Sequence, residues 1–110
     1  MACDIDRLIR QIVEFRDKRN WAQFHNPKDL ALGLSIEATE LNELFLWKKT
    51  KKADPARVRE ELADILIFSL MLLEKYGLDF EKIVLEKLAA NEKKYPADKA
   101  RNSAAKYTDL

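Results

Sequence analysis

Helix-start signals divide this chain into four segments whose apolar residues recur at helical spacing. Each signal is an Asp or Asn that can cap a first turn, and proline follows two of them at the first helical position. The candidate caps are Asp4, Asn26, Asp54 and Asp79. The whole chain has only 2 glycines and 3 prolines, too few for the tight turns of a β-sheet protein. The sequence therefore predicts an all-α fold built from four helices.

Breaks in this periodicity set the expected boundaries. The predicted helices cover residues 5 to about 20, 27 to about 48, 55–76 and 80–95. Gly77 supplies a left-handed stop after the third helix. Residues 21–25 are expected to form a connecting loop that is rich in aromatic rings. Residues 50–53 are expected to form a basic linker. We expect residues 1–96 to form a single four-helix domain and the polar, aperiodic residues 97–110 to form a C-terminal tail.

Charge and hydropathy exclude several classes of partner. The formal net charge is +1, so no overall field attracts DNA, RNA or a membrane surface. The longest uncharged run, Ile65–Leu73, is far shorter than the ~18 residues of a membrane span. Cys3 is the sole cysteine and no signal peptide is evident, so we expect a cytoplasmic protein without disulfides. The basic run Lys48–Lys52 is interpreted as a solvated loop, with attraction of phosphate as the alternative.

Acidic residues occupy the centres of two apolar stripes. At ~100° per residue, Glu37 lies in the middle of the leucine stripe of the second helix, and Glu40 flanks that stripe. The third helix repeats the design, with Glu61 central and Asp64 at the flank. An isolated buried carboxylate costs several kcal/mol unless it is paired or protonated. We therefore expect these four acids to gather around a cation, and their oxygen ligands favour Mg²⁺ or Mn²⁺ over Zn²⁺.

Two competing interpretations of the acids are less favoured. Acids three residues apart are common on solvated faces, and Glu14 with Lys18 is such a surface pair, but Glu37 and Glu61 interrupt apolar stripes. A ferritin-like di-iron site needs Glu-x-x-His on two helices, whereas the only histidine, His25, lies in the predicted loop.

The fourth helix turns from apolar to basic in its last two turns. Lys87, Asn91, Lys94 and Tyr95 continue the face that Phe80 begins. The lysines either complement the helix C-terminus or meet phosphate oxygens near the metal. The aromatic residues outside this helix leave a similar choice, since they either join the core or stack on a base. They are Trp21, Phe24 and Trp47.

The acidic pairs and their surroundings resemble a known family. The motifs are Glu37-x-x-Glu40, Glu61-x-x-Asp64, Trp21-Ala22-Gln23-Phe24-His25-x-Pro27, Leu44-Phe45-x-Trp47-Lys48, Lys87-x-x-x-Asn91-x-x-Lys94-Tyr95-Pro96 and Lys106-Tyr107-Thr108-Asp109-Leu110. Together they are similar to the all-α MazG-like nucleoside triphosphate pyrophosphohydrolases, and to the dCTP pyrophosphatase branch in particular. The resemblance extends from about residue 5 to residue 110.

This resemblance implies an enzyme that hydrolyses a deoxynucleoside triphosphate between the α and β phosphates, with Mg²⁺ as cofactor and a dimer or tetramer as the assembly. By carry-over, the metal-binding and catalytic residues are Glu37, Glu40, Glu61 and Asp64. The substrate-binding residues are Trp21, Phe24, His25, Trp47, Phe68, Lys87, Asn91, Lys94 and Tyr95. Some members have Tyr at position 68 and His at position 12, where this chain has Phe68 and Ile12, so its base selectivity is left open. The tail match also implies that residues 101–110 pack near the nucleotide or a neighbouring subunit.

Two other functions remain as alternatives. In the first alternative, the chain is a helical regulatory module that binds a nucleotide or a partner and catalyses little. In the second, it is a purely structural helical dimer. A Mg²⁺-dependent gain in stability separates the metal site from the structural dimer. Self-association is expected in every case, because the third helix is apolar on nearly every side from Ile65 to Leu73. For the enzyme, Glu40 is the expected general base, since its flank position leaves an oxygen free for water.

Overall fold

The computed structural model describes residues 3–47 and 53–110, which contain five α-helices and no β-strand. The helices are α1 (Ile5–Lys18), α2 (Pro27–Glu43), α3 (Pro55–Lys75), α4 (Phe80–Lys94) and α5 (Ala97–Ala100). Short 3₁₀ turns occupy Ala22–Phe24 and Tyr107–Asp109. The predicted all-α class is confirmed. None of the described helices combines the length and the hydropathy that crossing a bilayer requires.

Side-chain caps start the four long helices. Each predicted cap accepts a hydrogen bond from a backbone N–H two or three residues further on, at 2.9–3.1 Å. These caps are Asp4, Asn26, Asp54 and Asp79. At the other end of α3, Gly77 has a φ of +60° and the N–H of Leu78 donates to the carbonyl of Leu73, which closes the helix with a left-handed residue.

The predicted end of the second helix is wrong. α2 stops at Glu43 instead of near Lys48, because the next three N–H groups, those of residues 44–46, donate to carbonyls three residues back. Trp47 follows with a φ of +64°, which a continuing helix does not allow. The Lys48–Lys52 run lies outside the described residues. The predicted basic linker, residues 50–53, lies outside them too, except for Ala53.

The chain divides into two compact units, one ending at Leu78 and one spanning Asp79–Leu110. In the first unit, α3 is the central element, since α2 packs extensively on it and α1 contacts it as well. The buried apolar core of this first unit consists of Leu30, Leu70, Met71 and Leu73. Gly33 lets α2 approach α3 closely, because a Cβ at this position would lie only 2.7 Å from the ring of Phe68.

The second unit contains α4 and residues 97–110. The segment predicted as a tail folds into α5 and the 3₁₀ turn at Tyr107, and the ring of Tyr107 meets Tyr95 edge-on at 6.1 Å between centroids. The ammonium group of Lys94 lies 5.1 Å from the centroid of the same ring. The division into residues 1–96 and 97–110 stays a prediction.

Candidate metal and nucleotide site

Three of the four predicted acids meet between α2 and α3. One carboxylate oxygen each of Glu37, Glu61 and Asp64 lies within 4.8 Å of the other two. Glu37 and Glu61 are half-buried, as their central places in the apolar stripes predict, while Asp64 is exposed. Ligands on opposite sides of Mg²⁺ lie about 4.2 Å apart, so a small adjustment of these side chains would let their oxygens share one such ion. The helical periodicity therefore located a cluster that is compatible with a divalent metal.

The electrostatics of the cluster show that it lacks positive charge. The Oε2 atoms of Glu37 and Glu61 are buried without a hydrogen-bond partner. The neighbouring Glu61 carboxylate, which favours a proton shared between the two groups, raises the pKa of Glu37 to about 7. Burial, a side-chain contact with Glu40 and the charges of Glu40 and Asp64 add to this effect. Within the described ranges, no Lys, Arg or His nitrogen forms an ion pair with these acids. A divalent cation would satisfy the two unpartnered oxygens and compensate the charge, so the residues fit such an ion.

Glu40 lies beside this cluster and outside the group of three. Its side chain is exposed and borders a groove of about 570 Å³, a size within the range of roughly 300–1,000 Å³ that small-molecule sites have. The groove is lined by Glu40, Glu43, Leu44, Leu46, Asp54, Arg57 and Glu61. Arg57 was not among the predicted site residues. Its place four residues before Glu61, on the same face of α3, is the signal that could have found it.

The ring-rich segment 21–25 forms a small aromatic cluster. Trp21 lies edge-on to Phe15 at 5.9 Å and to His25 at 6.1 Å, so α1 supplies one of the rings. Burial, and then the charges of Arg16 and Lys75, lower the pKa of His25, which keeps the imidazole neutral at neutral pH. Its Nδ1 atom is buried without a hydrogen-bond partner among the described residues. Phe24 is 61% exposed. His25 therefore keeps a buried, unpartnered nitrogen beside two exposed rings.

Two further aromatic residues predicted to bind substrate lie in different surroundings. Phe68 packs its ring against Gly33, which makes it part of the contact between α2 and α3. Trp47 is 98% exposed and is the last residue of the described range 3–47. The structure thus gives Phe68 a packing role and leaves the indole of Trp47 in solvent.

The remaining predicted residues belong to the second unit. Lys87 and Lys94 are exposed on α4. Asn91, which comes between them in the sequence, is half-buried. Tyr95 follows the last residue of α4, and its N–H donates to the carbonyl of Asn91 at 2.7 Å. Lys94 and Tyr95 both contact Tyr107, so the tail orders two residues that were predicted to meet the nucleotide.

Fold and site together define an all-α protein with a carboxylate cluster compatible with a divalent metal. The model of the MazG-like family matches residues 32–110. Two curated relatives are similar over most of the chain. The dCTP pyrophosphatase 1 of Bos taurus is 40% identical over 114 residues, which cover 96% of this chain and 68% of the relative. That of Homo sapiens is 39% identical, with 96% and 67% covered.

A solved structure, a pyrophosphatase from Archaeoglobus fulgidus, superimposes with a TM-score of 0.76 at 34% identity, covering 87% of this chain and 95% of that one. These similarities confirm the predicted resemblance. The chain belongs to the MazG-like family.

Proposed function

We propose that this protein is a Mg²⁺-dependent nucleoside triphosphate pyrophosphohydrolase that converts a deoxynucleoside triphosphate, with dCTP or a modified dCTP favoured, to the monophosphate and pyrophosphate. The observation that carries this proposal is the carboxylate cluster of Glu37, Glu61 and Asp64 in a MazG-like chain. The names of the curated relatives, dCTP pyrophosphatase 1, support the substrate class.

Glu37, Glu61 and Asp64 are the residues that would hold the metal. Mg²⁺ is the first choice and Mn²⁺ the second, because every donor is a hard carboxylate oxygen. When bound, such an ion supplies charge that neutralises the phosphate oxygens of a triphosphate.

Glu40 is the proposed general base. Its carboxylate is exposed on the groove beside the cluster, so water can reach it. We propose that it takes a proton from a water molecule whose oxygen bonds to the α-phosphorus, while the bond from this phosphorus to the bridging oxygen breaks and pyrophosphate leaves. Arg57 lines the same groove and supplies positive charge there.

The proposed nucleotide contacts follow the chemistry of each side chain. Trp21, Phe24 and Trp47 offer exposed rings that can stack on a base, and the half-buried imidazole of His25 is proposed to bond to the edge of the base. Phe68 supports this pocket through its contact with Gly33. Contacts with phosphate and sugar are assigned, on the family resemblance, to four polar residues of the second unit, which are Lys87, Asn91, Lys94 and Tyr95.

We also propose that the protein self-associates, as a dimer or a tetramer, in the cytoplasm. Leu62 and Leu66 of α3 are 46% and 53% exposed and line an apolar groove with Pro55 and Val58. An apolar surface along a central helix favours a partner surface over water. The free Cys3 thiol is exposed, as suits a reducing compartment.

The test is the identity of the inorganic product. The protein is incubated with Mg²⁺ and each of dCTP, its 5-modified relatives and the other triphosphates, and orthophosphate is measured with and without added inorganic pyrophosphatase. We expect signal only when pyrophosphatase is present, with the fastest rate for dCTP or a modified dCTP. In EDTA, where the coupling enzyme does not work, the nucleoside monophosphate is measured directly by chromatography, and we expect none to form.

Matched variants on α3 complete the test. Glu61→Gln removes a charge from the cluster and is expected to abolish turnover, whereas Glu60→Gln, on the neighbouring exposed residue, is expected to leave it unchanged. Orthophosphate released without pyrophosphatase, or no release from any nucleotide, would reject the proposed activity. Binding of nucleotide without turnover would favour the regulatory module instead.

A further inference from the structure

Arg16 is the one charged side chain that is buried among the described residues, with 7% of the residue exposed. It lies near the end of α1, and its guanidinium group donates through Nε to Asp17 at 3.0 Å and through Nη1 to Glu74 of α3 at 3.1 Å. Glu74 is 58 residues away along the chain, so this ion pair joins α1 to the last turn of α3. A buried arginine is stable only while such partners are kept.

The backbone of the same residue holds the start of the aromatic segment. The carbonyl of Arg16 accepts hydrogen bonds from the N–H of Arg19 at 3.2 Å and from that of Trp21 at 3.1 Å. Trp21 in turn meets the His25 ring edge-on. Arg16 therefore contacts α3 with its side chain and the aromatic segment with its main chain.

We propose that Arg16 is a positioning residue for the nucleotide pocket: its ion pair with Glu74 fixes the end of α1 on α3 and thereby fixes Trp21 and His25 in the arrangement that receives the base. This inference rests on the proposed function. It adds to that function a residue outside the groove that sets the affinity for substrate.

The state of His25 supports this role. The positive charges of Arg16 and of Lys75, the residue after Glu74, both act on the imidazole and help to keep it neutral. A neutral, half-buried His25 needs to be held at a defined distance from its ligand, since one misplaced hydrogen bond costs affinity. Movement of α1 relative to α3 would displace the ring and change its electrostatic surroundings together.

A matched control lies on the same helix. Lys18 and Glu14 also form an ion pair, at 3.1 Å, but their side chains are 69% and 64% exposed and neither bonds to the aromatic segment. Exposed pairs of this kind contribute little to stability. Lys18→Met therefore breaks an ion pair of α1 without releasing Trp21.

The first measurement does not depend on catalysis. Trp21 and Trp47 are the two tryptophans, so a Trp47→Phe background makes Trp21 the only indole, and acrylamide quenching then reports its exposure. Trp21 is 41% exposed, so Arg16→Met is expected to raise its quenching constant by up to about twofold well below the melting temperature. Lys18→Met is expected to leave it unchanged.

The second measurement separates affinity from chemistry in the chain with Trp47 intact. Arg16→Met is expected to raise KM for dCTP about tenfold and to leave kcat within about twofold, because the groove with its acids is untouched. Arg16→Lys keeps the charge and is expected to restore part of the lost affinity. Glu74→Gln keeps the size of the partner and is expected to cause a smaller rise in KM.

Each result has a fixed meaning. Unchanged quenching and unchanged KM in Arg16→Met, or equal changes in Lys18→Met, would overturn the positioning role. A fall in kcat at constant KM would overturn it too. If Arg16→Met does not fold, Glu74→Gln takes its place, since the Glu74 side chain is 34% exposed and tolerates the amide. If the wild-type chain releases no pyrophosphate, the proposed function fails and the quenching of Trp21 alone decides this inference.

Discussion

Replacement of Glu37 by Gln tests the central feature of the site, which is negative charge gathered without compensation. Glu37 has a raised pKa of about 7, against an ordinary value of 4.5, because Glu61, Glu40 and Asp64 crowd it. The folded protein without metal therefore binds this proton more tightly than the unfolded chain does. The stability that this bound proton contributes is complete below about pH 4.5 and is lost as the pH rises through about 7.

The magnitude follows from the same shift. The difference between a pKa of 4.5 and one of about 7 corresponds to an upper limit of about 3 kcal/mol. Screening by water around the half-buried carboxylate reduces this to about 1–2 kcal/mol. Glu37→Gln removes the charge and keeps the shape, so it is expected to stabilise the metal-free protein by this amount at about pH 8. For a domain of this size that is a rise in the melting temperature of about 4–9 °C.

The assay is thermal denaturation followed by circular dichroism, in EDTA and in excess Mg²⁺, at pH values on either side of about 7. In EDTA the variant is expected to melt above the wild type at high pH and close to it at low pH. Excess Mg²⁺ at about 100 times its Kd stabilises the wild type by about 2.7 kcal/mol, and the variant is expected to lose most of this gain. Glu60→Gln is the control. A variant that melts below the wild type at high pH in EDTA, or that responds to Mg²⁺ as the wild type does, would refute the reasoning.

Three further outcomes are expected. Glu40→Gln lowers kcat by about 10²–10⁴-fold and keeps the Mg²⁺-dependent rise in melting temperature, and an unchanged kcat would remove Glu40 as the base. Gly33→Ala lowers the free energy of unfolding by about 1–3 kcal/mol, measured with urea, because the new Cβ would meet Phe68 at 2.7 Å; no loss would mean that the ring yields freely. Light scattering at micromolar concentration gives the mass of an oligomer, which Leu66→Glu reduces, and a monomeric wild type would contradict self-association.

Local signals predicted the starts of the helices well. A cap such as Asn26 acts on its own first turn, so the residues that determine it are neighbours in the sequence. The end of α2 depends instead on the switch to shorter hydrogen bonds before Trp47, and the apolar residues 44–46 give no sign of it. Arg16 was missed for a related reason: it looks like a surface residue of an amphipathic helix, and only Glu74, far along the chain, explains its burial.

The candidate site shows both the strength and the limit of periodicity. Glu37 and Glu61 were placed at the centres of their stripes, and two helices that pack along those stripes must bring central residues together. Glu40 and Asp64 have the same angular offset on their helices, yet only Asp64 belongs to the group of three oxygens. An angle about the helix axis does not give the position along the axis or the rotamer, and these decide which flanking carboxylate reaches the cluster. Both flanking carboxylates are exposed, but only Glu40 also borders the groove, which is consistent with the proposal that Glu40 is the base.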